Sequence, residues 1–167
     1  MKKILPAIFV LLLCSSLFLG ACSNGTQSKK NTKKTEEQKQ QLVVPKEKEN
    51  YALNQTLDFL GLHVTFTNAT YVQDDKGKKD SVLKVDMKVQ NNSASRRTFT
   101  SIDMKMTDAD GKKLAIYPGE NIGADIQPQK KITGSAYFHA NGNPPYIIKY
   151  TDPESDVTAQ WKVKDPR

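Results

Sequence analysis

From Tyr51 onward, apolar and polar residues alternate with a period of two. The segment VLKVDMKVQ sets Leu83, Val85, Met87 and Val89 on one side and Lys84, Asp86, Lys88 and Gln90 on the other. That is the pattern of a strand with one face buried and one in water. The same reading aligns Leu62, Val64 and Phe66 in LHVTF, Ile102, Met104 and Met106 in SIDMKM, and Ile132, Gly134, Ala136 and Phe138 in ITGSAYFHA. It also aligns Tyr146, Ile148 and Tyr150 in YIIKY, and Ala159, Trp161 and Val163 in AQWKV. Tyr71 falls out of step with Phe66, which predicts a bulge or bend near Asn68. Turn residues separate the runs around Gly77, around Gly111, from Tyr117 and from Asn141. No window after Tyr51 carries a 3.6-residue apolar stripe. The expected fold over residues 51–167 is therefore all-β: an immunoglobulin-like antiparallel β-sandwich of seven to nine strands, with a small barrel as runner-up. The Cys…Trp…Cys spacing of antibody domains is missing, and Trp161 falls in the last strand.

The front of the chain follows another rule. Lys2 and Lys3 precede the apolar run Ile4 to Leu13, and small residues gather at Gly20, Ala21 and Cys22. This is the order of a secretory signal peptide. An uncleaved anchor wants about 20 apolar residues, and Pro6, Ser15 and Ser16 interrupt this one. The tetrapeptide Leu19-Gly20-Ala21-Cys22 resembles the lipobox of bacterial lipoproteins. The resemblance implies a signal peptide over 1–21, cleavage before Cys22, and a thioether-linked diacylglycerol on that cysteine. Cys14 would leave with the leader, so the folded part has neither thiol nor disulfide, and cysteine-based metal sites are excluded. Residues 22–50 are rich in Ser, Thr, Asn, Gln, Lys and Glu, a composition expected to form a disordered tether. Such a coil spans roughly 30 Å, which keeps the domain near the membrane. Leu42 to Val44 is its one apolar point, and packing on the domain's edge or merely approaching it are both open.

The formal net charge of +7 invites a nucleic-acid reading, which its distribution removes. Ser23 to Asn50 holds seven lysines against four glutamates, whereas Tyr51 to Arg167 holds sixteen basic and fourteen acidic residues. Phosphate binding needs a basic patch on the domain itself, so no nucleic-acid partner is expected. The tether lysines add at most about 1 kcal/mol each at an anionic surface. Two acyl chains give on the order of 20 kcal/mol, so lipid dominates attachment.

Candidate chemistry is sparse. Asp108 and Asp110 precede Gly111 as in the start of a calcium loop, but Gly119 stands at the twelfth position where a glutamate is needed. Asp-Gly between alternating runs is a hairpin turn. His63 and His139, the only histidines, read as surface or strand-end residues, with no HExxH pattern. No G-x-S-x-G elbow exists, and Asp74-Asp75 belongs to a turn. Sequons at Asn54, Asn68 and Asn91 read as strand ends. Neither a metal nor a cofactor is expected. Two loops carry the remaining interest, with Tyr117 and Ile122 in one and Pro144, Pro145 and Tyr146 in the other, as possible binding surfaces. In the plainer alternative, Tyr146 caps the core and Pro144-Pro145 opens an edge strand, with a cis bond.

The order YALNQTLDFLGLHVTFTNATYV, VLKVDMKVQNNSASRRTF, MKMTDADGKKL and IQPQKKITGSAYFHANGNPPYIIKY resembles telokin-like, immunoglobulin-fold domains of unknown function. Those occur in extracytoplasmic lipoproteins of Gram-positive bacteria. The resemblance implies a fold and a surface location and transfers no catalytic residue. The expected protein is a non-catalytic binding or protein-interaction module, held by lipid on Cys22 at the extracytoplasmic side of the cell membrane. Its partner would be an envelope protein, a wall polymer or a host surface. A small-solute receptor of a transport system and an envelope hydrolase are the alternatives.

Overall fold

The computed structural model describes residues 42–46 and 48–167. The expected leader, Leu19, Gly20, Ala21, Cys22 and the tether up to Gln41 lie outside the described residues. Twelve strands follow one another: β1 (Leu42–Val43), β2 (Asn50–Tyr51), β3 (Thr56–Phe59), β4 (Leu62–Val72), β5 (Val82–Asn91), β6 (Arg97–Thr100), β7 (Met104–Thr107), β8 (Lys113–Leu114), β9 (Gly123–Ile126), β10 (Lys131–His139), β11 (Tyr146–Thr151) and β12 (Thr158–Val163). Nine of them are four residues or longer, and β1, β2 and β8 have two residues each. One sheet has the order β1-β3-β4-β5-β10, the other β2-β12-β11-β7-β8, and β6-β9 forms a separate ribbon. The described residues form an all-β sandwich.

The alternation builds this directly. Leu83, Val85, Met87 and Val89 of β5 are buried, while Lys84 and Asp86 are half-buried and Lys88 and Gln90 exposed. In β4 the buried parity runs Leu62, Val64, Phe66 and then shifts to Ala69, because the register with β5 slips between Phe66 and Asn68. The bulge lies where the pattern placed it. Between the sheets the core is aromatic. Trp161 of β12 meets Phe66 of β4 edge-on at 4.5 Å, and Phe59 of β3 meets Tyr150 of β11 at 5.1 Å. Phe99 brings the β6-β9 ribbon onto Tyr150 at 5.2 Å. Burying each such ring stabilises the fold by about 1.5–3 kcal/mol, and the edge-on geometry adds roughly 0.5–1.5 kcal/mol.

Two expectations need correction. Ile102 does not share a strand face with Met104 and Met106; it sits in a 3-10 turn, Ser101–Asp103, and is 73% exposed. The Thr100 hydroxyl accepts from Ile102 N at 3.3 Å and starts that turn, overriding the alternation. Sheet pairing also begins before the expected boundary at Tyr51. β1 runs parallel to β3, with Leu42 opposite Thr56 and Val43 opposite Leu57, and β2 runs parallel to β12. Leu42 to Val43 thus joins the sheet, and the expected 22–50 tether gives up its last segment to the sandwich. Strands of two residues are too short to show a period.

A buried ion pair ties three connections together. Arg97 Nη2 donates to Asp152 Oδ2 at 2.8 Å, with side chains 5% and 0% exposed. Its Nη1 reaches the Phe59 and Leu60 carbonyls at 3.3 and 3.1 Å, and its Nε lies 2.9 Å from Glu154 Oε2. Asn91, fully buried, donates to the Ser95 and Ile126 carbonyls and accepts from Ser93 N and Oγ. Both side chains donate to backbone carbonyls of neighbouring segments.

Candidate functional site

Two turns share one construction. Asp74 Oδ1 accepts from Lys76 N and Lys78 N at 3.0 and 2.8 Å, and Asp108 Oδ1 accepts from Asp110 N and Lys112 N at the same distances. Gly77 and Gly111 take φ of 80° and 77°, where a side chain would be strained. The Asp108 carboxylate is therefore occupied by its own turn, as the hairpin reading requires. The hydrogen bond from Lys78 N holds Asp74 below its ordinary 3.8, ahead of the opposing effect of desolvation.

The Asp74 turn forms one wall of an open groove of about 570 Å³ at the end of the sandwich. The loop Tyr117–Glu120 is the opposite wall, and Val82, Tyr137 and His139 lie beneath. Hydrogen bonds fix that loop against β10. Tyr117 N donates to Tyr137 O at 2.8 Å, His139 N to Ala115 O at 2.9 Å, and Ile122 N to Ser135 O at 2.9 Å. Asn121 braces it by donating from Nδ2 to Tyr117 O and accepting from Tyr137 N, both at 2.9 Å. The Tyr117 hydroxyl donates to Asp75 Oδ1 at 2.7 Å and accepts from Asp75 N at 3.1 Å. Its ring stands edge-on to His139 at 5.0 Å. The hydrogen bond to Asp75, then desolvation and the charges of Asp75 and Asp74, raise the Tyr117 phenol above its ordinary 10.0, against the opposing hydrogen bond from Asp75 N.

The predicted loop residues separate. Tyr117 lines the groove. Ile122 instead covers β10, where a Cβ on Gly134 would come within 2.9 Å of it. Tyr146 is fully buried, accepts from the Tyr71 hydroxyl at 3.0 Å and donates to Gly142 O at 2.6 Å. Its ring is core, as the plainer alternative has it for this residue, but the strand it opens, β11, lies between β12 and β7 and is not an edge. Burial, followed by the Tyr71 hydrogen bond, raises its phenol far above the ordinary value. Pro144 is exposed, the Pro144-Pro145 bond is cis, and this loop lies by the Asp108 turn through Ala109 N to Asn143 O. It does not line the Tyr117 groove.

Asp75, Glu120, Tyr137 and His139 were missed as site residues. Asp75 and Tyr117 are 42 residues apart, and no spacing signal announces their meeting. His63 is elsewhere, 2.7 Å from Asn92 Nδ2 through Nδ1 and 3.6 Å from Asp58. Among the described residues, no three His, Cys, Asp or Glu side chains gather to share a metal ion.

A family model described as a domain of unknown function, DUF4352, matches residues 27–159. No curated protein matches the chain. Among solved structures, the yjhA protein of Bacillus subtilis aligns with a TM-score of 0.55 at 13% identity, over 68% of this chain and 99% of its own. The ycdA protein of Bacillus subtilis, described as a candidate lipoprotein, aligns with a TM-score of 0.50 at 21% identity, over 62% of this chain and 37% of its own. These likenesses speak to the sandwich fold.

Proposed function

We propose, for a chain that belongs to the DUF4352 family, a non-catalytic binding module carried on the extracytoplasmic side of the cell membrane by lipid on Cys22. The observation that carries the binding half is the groove between the Asp74 turn and the Tyr117–Glu120 loop. It places half-buried Tyr117 and Tyr137 beside carboxylates on a scaffold fixed by backbone bonds. Loops held rigidly at the end of a sandwich are where such modules place their contacts. The anchoring half is supported by the leader ending at Leu19-Gly20-Ala21-Cys22, and by likeness to a candidate lipoprotein. We extend the proposal to the telokin-like domains of Gram-positive lipoproteins, on the order of sequence segments from YALNQTLDFLGLHVTFTNATYV to IQPQKKITGSAYFHANGNPPYIIKY.

Radiolabelled palmitate should enter the wild type and not Cys22→Ser; label in the mutant sinks the anchor. For the groove, a photoreactive phenylalanine replacing Tyr117 on whole cells should capture an envelope protein, wall polymer or host molecule. The same residue replacing exposed Lys149 on β11 should not. Identical adducts from both positions would remove the groove from the proposal.

A further inference from the structure

We propose that the groove recognises a quaternary, methylated ammonium group, an inference that rests on reading the groove as the binding site. Three features converge on that chemistry. Tyr117, Tyr137 and His139 supply aromatic surface to one cavity, and aromatic faces attract organic cations through their negative quadrupole. The lining carries Asp75 and Glu120 against Lys76, a net negative balance; Lys78 and Lys79 lie on the same turn but outside the lining. The Tyr117 hydroxyl donates its proton toward Asp75 Oδ1 at 2.7 Å, which loads electron density onto the ring. The same hydrogen bond is the main cause of the raised Tyr117 phenol.

The choice of a methylated over a primary ammonium comes from the other lining residues. Val72, Val82 and Pro118 are apolar. A primary ammonium has three N–H donors to satisfy, and one Asp75 oxygen is already taken by Tyr117. A trimethylammonium group has no N–H, is weakly hydrated, and gains from apolar contact. Gly119 keeps the cavity open. A Cβ there would touch the Tyr137 ring at 3.5 Å, an ordinary contact, so a larger side chain would lie across the ring without straining the backbone.

Choline chloride is titrated into the full chain in maltoside detergent at constant ionic strength, and broadening of its methyl resonance is followed by NMR. Saturable binding is expected. Ethanolamine, charged but unmethylated, and 3,3-dimethyl-1-butanol, of choline's shape but neutral, should each bind about fivefold or more weakly. Tyr117→Ala should weaken choline about tenfold or more, Tyr117→Phe less, and Gly119→Leu should block it while leaving Tyr117 in place. If Tyr117→Ala does not fold, Gly119→Leu decides. Equal binding of ethanolamine would reduce the groove to a charge site, and equal binding of the neutral isostere to an apolar one; either overturns the inference. So does choline binding that both variants leave unchanged. If choline fails while the position-117 crosslinker still captures a partner, this inference falls and the binding-module reading stands.

Discussion

Replacing Arg97 by Met removes one half of the buried ion pair while keeping a long apolar stem. The Asp152 carboxylate, 0% exposed, then retains Ser155 N at 3.0 Å, the Ser155 hydroxyl and a long contact to Tyr150 at 3.4 Å. No cation remains against it, and the Phe59 and Leu60 carbonyls lose their shared donor. Stranding one member of a buried pair costs about 3–5 kcal/mol. Since a domain of this size has about 5–15 kcal/mol in all, the urea midpoint should fall steeply with an unchanged slope. The double variant Arg97→Met/Asp152→Asn should recover about half the loss or more, because a neutral amide still accepts from Ser155 N and nothing charged is left buried. A double-mutant cycle therefore gives a coupling of about 1–3 kcal/mol. A cost below about 1 kcal/mol for Arg97→Met, or a double variant as unstable as the sum of its singles, refutes the reasoning.

Gly142→Ala would put a Cβ 2.6 Å from Asp108 Cβ and 2.8 Å from its Cγ, displacing the residue that holds the β7-β8 turn. A loss of about 1–3 kcal/mol in urea unfolding is expected, and no change would show that the turn tolerates the shift. Asp86 is pushed up by burial, but hydrogen bonds from Ser135 and Lys84 outweigh that and hold it below 3.8. The unfolded chain then takes up the proton first, so this contribution is complete above 3.8 and is lost as pH falls through the lower folded value. Asp86→Asn should flatten that part of the acid limb in urea midpoints taken between about pH 6 and pH 3; an identical limb counts against it. Trp161→Ala empties the space against Phe66, Phe59 and Tyr51 and should cost about 3–5 kcal/mol by the same assay; a loss under about 1 kcal/mol would mean the core collapses to fill it.

Where alternation is enforced by a two-sheet core, the chain announces its structure. Leu83 to Val89 and the parity change after Phe66 could both be read because the side-chain period of a strand is two and a bulge shifts it by one. Ile102 could not, since a hydroxyl at Thr100 competes locally with the pattern. Tyr146 was ambiguous for a related reason: an aromatic beside prolines fits a loop surface as well as a strand start, and only its burial against Tyr71 decides. The groove was half visible. Tyr117 stood out by residue type, while Asp75 and His139 reach it through contacts between distant segments, which no local window encodes. Arg97 and Asp152, 55 residues apart, were hidden in the same way.

The stretch from Ala115 to Ile122 also covers a strand edge. β10 is the last strand of its sheet, and that stretch takes up its outward-facing amides and carbonyls through Ala115, Tyr117 and Ile122, with Ile116 and Asn121 in bridge contact. A bare strand of that length is a template for aggregation. Shortening or lengthening this segment would unmask the strand and invite chain-to-chain stacking. The length of this segment is therefore fixed by the strand it covers, whereas its exposed side chains are free to change.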